Sequence, residues 1–315
     1  QSEMEKIGAI LAPRILSSGK PIEGKGFDSY IENFDDALNI VGGYAQYDSG
    51  PVKEYLQPYR QQQKWLQIAA KRLKTTITSH FTGNGLIYNG LTRVADGYTA
   101  IEHQLRNGRT YGDIHKFIAK SGVNYTPTLT ATPGLGNRYV KDIADKEPKL
   151  DRFNPFFIIE REKYKWEKGL MPNLKEYVDK SLMWNASAIK NIIGQNGLVS
   201  VGAHGNGFPG LNTHWELWSF TLDGLSNYNA LKCATVNGAK KIGLDQELGS
   251  ISPGKLADLV LLNSNPLTDI RNSSDIYWVV KNGKIFDAED MKQYWPDLKE
   301  LLPWSWRKLD IDEVP

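Results

Sequence analysis

Of the 315 residues, 40% are hydrophobic and 23% are charged, which is typical of a folded globular protein and excludes a disordered or fibrous one. The formal net charge of +2 leaves no broad basic surface for nucleic acid, and no apolar run approaches the roughly 20 residues of a membrane span. The only cysteine, Cys233, leaves no disulfide framework. We therefore expect neither a nucleic-acid partner nor a membrane partner.

Most of the chain alternates between short strand patterns and helical patterns. The predicted strands are Ala12 to Gly19, Pro51 to Gln57, Thr75 to Phe81, Thr99 to Leu105, Asn124 to Thr132 and Leu198 to Gly205. The predicted helices include Ser29 to Val41, Arg60 to Lys74, Thr110 to Gly122 and His214 to Gly224. This alternation predicts βαβ units and a parallel sheet. The fold class is therefore α/β, and a (β/α)8 TIM-type barrel, of which about six units are present, is the commonest closed solution.

A doubly wound open sheet is the competing topology. Such a sheet usually carries a Gly-rich phosphate loop after its first strand. The glycines of GKPIEGKGF, which follow the first predicted strand, do not have that spacing. The barrel is therefore the favoured architecture.

One long stretch, at about residues 133–175, interrupts the alternation and is rich in Pro, Gly, aromatic and charged residues. Loops of this length in a compact domain are usually functional or disordered, and the aromatic content argues against disorder. Two interpretations stay open: a lid or substrate-contacting insertion above the barrel mouth, or a structural excursion with its own helix at Phe157 to Lys165.

The C-terminal part changes to strands joined by tight turns. GSISPGKLADLVLL, Gly249 to Leu262, and IYWVVKNGKIFDA, Ile276 to Ala288, each predict β-structure, and Asn282-Gly283 is a typical hairpin turn. We expect a barrel domain over residues 1–245, β-strands of a small separate unit over residues 246–290, and a tail over residues 291–315. The tail is apolar enough to dock on a neighbouring surface, and packing on the chain's own barrel is the expected outcome.

Three histidines stand at the C-terminal ends of predicted strands: His80, His103 and His204. These ends converge on one face of a parallel barrel, so residues distant in sequence lie close together there. Gathered imidazoles are natural ligands for a divalent metal, which lowers the pKa of a bound water to about 7 and polarises a carbonyl. A single histidine would more often be a hydrogen-bonded core or rim residue, but three at successive strand ends favour a metal site.

The other candidate residues have weaker signals. His214 opens the helix after the last strand, where it either lines the pocket as a catalytic group or has a structural role at the helix start. His115 lies on an outer helix and is predicted to be structural. Cys233 is expected to be a small buried thiol, and Trp215 and Trp218 are expected to pack in the core.

The terminal strands, together with ADGYTAIEH and PVKEY, resemble the amidohydrolase superfamily, in the imidazolonepropionase-like branch that includes enzymes fused to TolB-type propellers. The resemblance implies that the terminal strands complete a small composite β-sandwich. It implies that Lys53, at the end of strand 4, is carboxylated and bridges two metals, and that His80 and His103 are metal ligands. Zinc is the expected ion, with one or two ions bound.

The sequence departs from the superfamily at two strands. The usual strand 8 aspartate is replaced by His204 in VGAHG. A neutral imidazole serves as ligand or as base but not easily as both, so both roles stay open for His204. In strand 5, an ungapped comparison displaces His80 by two residues from the usual ligand position, and relatives tend to have a glutamate near Thr82.

The resemblance also implies a His-x-His pair at the end of strand 1, and no such pair occurs in these 315 residues. We therefore expect that the chain corresponds to strands 3 to 8 and that strands 1 and 2 come from another chain or another part of the polypeptide. A homo-oligomer stays open as a further partnership. The resemblance to propeller-fused relatives favours a periplasmic or secreted location.

Two function classes follow from these residues. The favoured one is a metal-dependent hydrolase that uses activated water on amide or cyclic-amide C–N bonds of a small-molecule or peptide-like substrate, with Lys53, His80, His103 and His204 at the metal and His204 and His214 as catalytic candidates. The alternative is a non-catalytic barrel retained as a binding or scaffold module. Metal content separates the two classes.

Overall fold

A computed structural model of the chain describes residues 1–24, 30–46, 50–81, 87–105, 109–131, 160, 172–204 and 208–300. Six strands form a parallel sheet: β1 Ile22–Glu23, β2 Val52–Tyr55, β3 Ile77–His80, β4 Ala100–Glu102, β5 Asn124–Thr126 and β6 Leu198–Val199. Four strands form a separate antiparallel sheet: β7 Leu259–Leu262, β8 Ile276–Lys281, β9 Lys284–Asp287 and β10 Gln293–Trp295.

The described α-helices lie mainly between the strands of the parallel sheet. They are α1 Ser2–Lys6, α2 Phe34–Ala45, α3 Arg60–Arg72, α4 Ile87–Asp96, α5 Gly112–Ser121, α6 Pro172–Gly194, α7 Leu211–Phe220, α8 Asn227–Ala234 and α9 Val236–Lys241. Two 3₁₀ turns, Leu129–Ala131 and Ile270–Ser274, follow β5 and β7. In the part of the chain that the structure covers, no helix is long and apolar enough to cross a membrane.

The strand order of the large sheet decides between the two expected topologies. Each strand pairs in parallel with the next one along the chain, from β1 to β6. A doubly wound sheet reverses its strand order at a switch point, and the described strands contain no such reversal. The parallel α/β sheet is confirmed. No pairing joins β1 to β6 among the described residues, so closure into an eight-stranded barrel stays a prediction.

The first strand prediction was wrong. Residues 12–19 form no strand, and the chain first enters the sheet at β1, where Ile22 pairs with Glu54. Burial explains the difference, because Ile22 is fully buried in the core whereas Leu16 is 40% exposed. The following helix also begins later than predicted. Asn33 and Asp36 form a capping box that starts α2 at Phe34.

The core lies between the parallel sheet and its helices, in two clusters of buried apolar side chains. One cluster is built around β1 to β3 and includes Ile22, Val41, Val52, Leu66 and Ile77. The other is larger, is built around β4 to β6, and includes Ile101, Ile118, Tyr125, Ile189, Val199, Trp215 and Trp218. The core positions predicted for Trp215 and Trp218 are confirmed. Cys233 is buried as expected, and burial raises the pKa of its thiol to about 12.

The small sheet contains the predicted hairpin. β8 and β9 pair across Asn282-Gly283, and both turn residues have positive φ, 50° and 74°. The sheet extends beyond the predicted boundary at residue 290, because β10 pairs with β9 along one edge. Residues 293–295, part of the predicted tail, therefore pair with this sheet. Packing of the tail on the barrel stays a prediction. The described residues show this one antiparallel sheet, and the second layer of the composite β-sandwich stays a prediction.

The beginning of the chain lies against the small sheet. Arg14 Nη2 is 2.9 Å from Asp258 Oδ2, and Glu5 forms an ion pair with Lys281. The N-terminal residues of the predicted barrel domain thus contact both parts of the fold. The predicted insertion at about residues 133–175, its lid role and its helix at residues 157–165 lie outside the described residues, apart from Glu160 and the beginning of α6. Residues 301–315 of the tail also lie outside them.

A buried ion pair joins β2 to α4 on the helix-facing side of the sheet. Arg93 Nε is 2.8 Å from Glu54 Oε2, and Arg93 Nη2 is 3.1 Å from Glu54 Oε1. The exposed fractions of the two side chains are 2% and 0%. Glu54 also accepts hydrogen bonds from the Gln57 N–H and the Ser79 hydroxyl. The Glu54 carboxylate therefore accepts two hydrogen bonds from the charged guanidinium of Arg93 and further ones from groups of β3 and of the segment after β2.

We predict that Arg93→Met lowers the free energy of unfolding by about 3–5 kcal/mol, because it leaves the Glu54 carboxylate buried without its cation. The double variant Arg93→Met/Glu54→Gln should recover at least about 1 kcal/mol relative to Arg93→Met, since the uncompensated charge is then absent. Urea unfolding of the wild type, both single variants and the double variant measures the coupling. Strictly additive losses would contradict this interpretation of the pair.

Candidate active site

The three strand-end histidines come together in the structure. The ring centroids of His80 and His103 are 4.2 Å apart, and those of His103 and His204 are 5.6 Å apart. His80 is the last residue of β3, His103 directly follows β4, and His204 follows β6. The predicted convergence of these histidines at one end of the parallel sheet is therefore what the structure shows.

The backbone at the end of β4 places His103 beside His80. His103 has φ 77°, a left-handed backbone conformation that residues other than glycine rarely adopt. Its N–H donates to the Thr126 carbonyl at 2.7 Å, which holds the strand end against β5. The left-handed turn at His103 interrupts the alternation of side chains along β4. Glu102 contacts Thr78, and His103, although it is the next residue along the chain, contacts His80 on the same face of β3.

Lys53 lies on β2, where it pairs in register with Thr78 of β3. Burial lowers the pKa of the Lys53 amine to about 8, although the negative charges of Glu102 and Glu54 act to raise it. Its charge in turn helps to lower the pKa of His80, so the two groups lie within electrostatic reach of each other. A lysine amine with this pKa is partly neutral near pH 7 to 8, and the neutral amine is the form that reacts with carbon dioxide to give a carbamate.

The two most central imidazoles are neutral at physiological pH. Burial, assisted by the Lys53 charge, lowers the pKa of His80 to about 4. Burial, assisted by the neighbouring His80, lowers the pKa of His103 to about 3. A neutral imidazole has a lone pair available for a metal ion or a proton. The environment therefore keeps both rings in the form that a ligand needs.

A second, partly buried ion pair lies beside these rings, and sequence reasoning missed it. Lys241 Nζ is 2.7 Å from Glu102 Oε1 and donates to the Thr126 hydroxyl at 2.9 Å. Burial acts to raise the pKa of Glu102, but the positive charges of Lys241 and Lys53 and its hydrogen bonds lower it overall. The site thus contains a fixed carboxylate between two lysines. Lys241 comes from α9, and no spacing in the sequence connects it with β4.

Tyr55 is another residue that the sequence interpretation did not single out. It follows Lys53 by two positions on β2, so both side chains lie on the same face of the strand. Its ring centroid is 4.6 Å from that of His80. The period of two residues along a strand was the signal that could have identified it.

The two remaining histidines have other partners. His214 shares a hydrogen bond between Nδ1 and the Ser273 hydroxyl at 3.1 Å, and Trp218 Nε1 donates to the same hydroxyl. His214 therefore ties α7 to the turn at Ile270–Ser274, which agrees with the structural alternative for this residue. His115 is buried on α5 and contacts the Thr110 hydroxyl through Nε2 at 2.8 Å.

The donor set suits a divalent metal, although its geometry is not that of a formed site. In the described part of the chain, no group of three or more His, Cys, Asp or Glu side chains is arranged to hold a metal ion. His80 and His103 instead pack edge to face. Zinc nevertheless binds imidazole nitrogen and carboxylate oxygen, and neutral imidazoles are present here. The ligand atoms of these residues are therefore of the type that the expected zinc ion binds.

Residues 203–286 match the model of the amidohydrolase family. A 5-methylthioadenosine/S-adenosylhomocysteine deaminase of Teredinibacter turnerae is 50% identical over 40 residues, which cover 13% of this chain and 9% of that protein. An imidazolonepropionase of Picrophilus torridus is 51% identical over 39 residues, which cover 12% of this chain and 10% of that protein. The matched segments thus span about a tenth of these relatives.

A likeness to solved structures extends over most of the chain. A Xaa-Pro dipeptidase with bound methionine superposes with a TM-score of 0.65 at 18% identity, covering 91% of this chain and 71% of that one. At this identity the likeness shows the fold alone. It agrees with a parallel α/β sheet and a separate antiparallel sheet.

One further ionisable group lies behind the site. Glu216 on α7 is fully buried, and burial raises the pKa of its carboxyl group to about 8, against the opposing effect of hydrogen bonds from the Leu129 and Thr130 N–H groups. The unfolded chain releases this proton near pH 4.3. Glu216 therefore contributes a stabilisation that is complete below that pH and is lost as the pH rises through about 8.

We predict that this loss is visible in the pH dependence of stability. Between about pH 5 and pH 7.5, Glu216 should lower the free energy of unfolding by up to about 1.4 kcal/mol per pH unit, which is the effect of one proton. Glu216→Gln removes the titration, so its slope should be more positive than that of the wild type. Urea unfolding at several pH values measures both slopes, and identical slopes would show that Glu216 does not titrate in this range.

Proposed function

We propose that the chain provides the metal-binding face of a hydrolase that acts on amide or cyclic-amide C–N bonds. The observation that carries this proposal is the convergence of His80, His103 and His204 with the partly buried Lys53 at the ends of neighbouring parallel strands. Catalytic residues of parallel barrels lie at this end of the strands. The substrate would be a small molecule or a peptide-like compound, and the short deaminase match, named for C–N bond cleavage, supports that class.

His80, His103 and His204, with Lys53, would hold a divalent ion, for which zinc is the best match, as one or two ions. When bound, such an ion supplies a water of lowered pKa and polarises the carbonyl of the substrate. His204 would act either as a further ligand or as the base that takes the proton from the attacking water. Tyr55 would line the site next to His80.

Lys53 has a specific role in this proposal. Carboxylation of its amine would convert a poor ligand into an anionic one with two oxygens. The fall of its pKa to about 8 and its burial among charged groups are the supporting observations. The Lys241 ammonium, which pairs with Glu102, would offset part of the added negative charge when Lys53 changes from cation to anion.

The finer parts of the proposal concern relatives and partners. Membership of the imidazolonepropionase-like branch and fusion to a TolB-type propeller are proposed from the sequence resemblance. A segment with two further strands and a His-x-His pair would complete the sheet beside β1, supplied by another chain or by another part of the polypeptide. A periplasmic or secreted location and a homo-oligomer are proposed on the same resemblance.

A non-catalytic binding or scaffold module is the second candidate function. The observation that favours it is that the described His, Cys, Asp and Glu side chains do not already form a metal-ready group. Under this alternative the imidazoles and Lys53 would be a polar cluster without a metal. Metal binding in solution decides between the two.

We predict that the chain binds zinc stoichiometrically and that His103→Ala weakens binding by at least about 10-fold, because a ligand is lost. His115→Ala is the matched control, since His115 is a buried imidazole outside the cluster. Calorimetric titration with Zn²⁺ and metal analysis after dialysis give the two measurements, made with and without the proposed N-terminal strands. If zinc binds neither to the chain alone nor to the chain with the N-terminal strands, the hydrolase proposal should be abandoned. The same holds if His103→Ala and His115→Ala bind zinc equally.

A second prediction concerns the lysine. Lys53→Gly should lose bound metal and hydrolysis of dipeptide and cyclic-amide substrates, and formate or acetate should partly restore both, because a small carboxylate can enter the space of the missing carbamate. Lys53→Arg is the control, since it preserves a cation but cannot be carboxylated and leaves no space. Rescue of both variants to the same extent, or of neither, would argue against a carboxylated lysine.

A further inference from the structure

The buried carboxyl group of Glu216 holds the backbone that follows β5. Glu216 Oε1 accepts the Leu129 N–H at 2.7 Å, and Oε2 accepts the Thr130 N–H at 2.9 Å. The residue is fully buried on α7, more than 80 positions away in the chain. Two donors from consecutive residues are thus bound by the two oxygens of one side chain, which fixes the start of the 3₁₀ turn Leu129–Ala131 in position and direction.

The residue before this turn touches the candidate site. Thr128 has φ 46°, a conformation that costs free energy for a β-branched residue and persists only when its surroundings impose it. Its carbonyl accepts the Ala131 N–H at 3.0 Å, which closes the turn. Its hydroxyl is 2.5 Å from His103 Nδ1. The turn that Glu216 holds therefore presents a hydroxyl group to the most central imidazole of the cluster.

His103 depends on this contact for its orientation. Its backbone is itself left-handed, with φ 77°, and is anchored to Thr126. The ring nitrogen that Thr128 engages is Nδ1, which leaves Nε2 as the nitrogen available to a metal or a substrate. A hydrogen bond at one ring nitrogen sets both the tautomer and the ring orientation that the other nitrogen offers.

We propose that Glu216 is a positioning residue that fixes the ring of His103 through the turn at residues 129–130 and the hydroxyl of Thr128. The contact chain runs from α7 to the end of β5 and from there to the end of β4, so one buried side chain couples three elements of the fold. Its meaning for catalysis rests on the proposed function. The coupling itself is a property of the chain without any metal.

Ring-¹⁵N NMR of the histidines tests the coupling directly. The chain contains five histidines, so selective ¹⁵N-histidine labelling of the full metal-free chain gives a small set of ring signals that single substitutions assign. Thr128→Val should shift the His103 ring nitrogens, and Thr128→Ser should leave them near the wild-type values because the hydroxyl is retained. Glu216→Gln should shift them in the same direction as Thr128→Val, because an amide nitrogen cannot accept the second N–H.

Thr110→Val is the matched control, since it removes a threonine–histidine hydrogen bond of the same kind from His115. It should shift only the His115 ring signals. Glu216→Gln should leave the His115 signals unchanged, which also reports that the variant is folded. Glu216→Asp provides a second variant that retains a carboxyl group but reaches fewer donors, and a smaller shift of His103 is expected. Unchanged His103 signals in a folded Glu216→Gln or Glu216→Asp variant would overturn the proposal.

Zinc titration separates this inference from the proposed function. We expect Glu216→Gln to weaken zinc binding about 10-fold, the effect typical of a residue that orients a ligand. If the wild type binds no zinc while the His103 signals respond to Glu216, the hydrolase proposal fails and the coupling stands. If zinc binds equally to both forms and the His103 signals do not respond, the coupling fails and the hydrolase proposal stands.

Discussion

The parallel pairing of β1 to β6 is the constraint on which the rest of the structure depends. Parallel strands end on one side of a sheet, so residues at corresponding strand ends become neighbours whatever their distance along the chain. The register that pairs His80 with Glu102 and Lys53 with Thr78 brings the ends of β2, β3 and β4 to one level. The candidate site is a consequence of this register, because each strand contributes only one or two polar residues to it.

One buried and one partly buried ion pair support that arrangement. Glu54 and Arg93 join β2 to α4 on the helix-facing side, and their mutual hydrogen bonds offset the cost of removing both charges from water. Glu102 and Lys241 lie on the opposite side, next to the imidazoles, where both charges act on Lys53 and the Glu102 charge also acts on His103. Alternation along β2 separates these two environments, since Lys53 and Glu54 are adjacent in sequence but face opposite sides of the strand.

Sequence patterns predicted the strands whose apolar residues are buried in a regular pattern. They failed where pairing with another strand determined the structure. β3, β4 and β5 lie within their predicted ranges, since the apolar residues of a buried strand are visible in sequence. The strand expected at residues 12–19 was displaced to β1, because pairing with β2 and burial of Ile22 outweighed local preference. β10 was missed because a three-residue edge strand depends on its partner β9 rather than on its own composition.

The sequence by itself determined the α/β class, the hairpin at Asn282-Gly283 and the candidate positions of His80, His103 and His204, because periodicity and turn residues act over a few positions. Lys53 became a candidate through the family resemblance. Only the tertiary structure decided that His214 binds Ser273, that Lys241 pairs with Glu102 and that Glu216 holds the turn beside Thr128. The physical reason is that these contacts join groups that are 59 to 139 positions apart. Their partners are set by the packing of helices on the sheet, which no local spacing encodes.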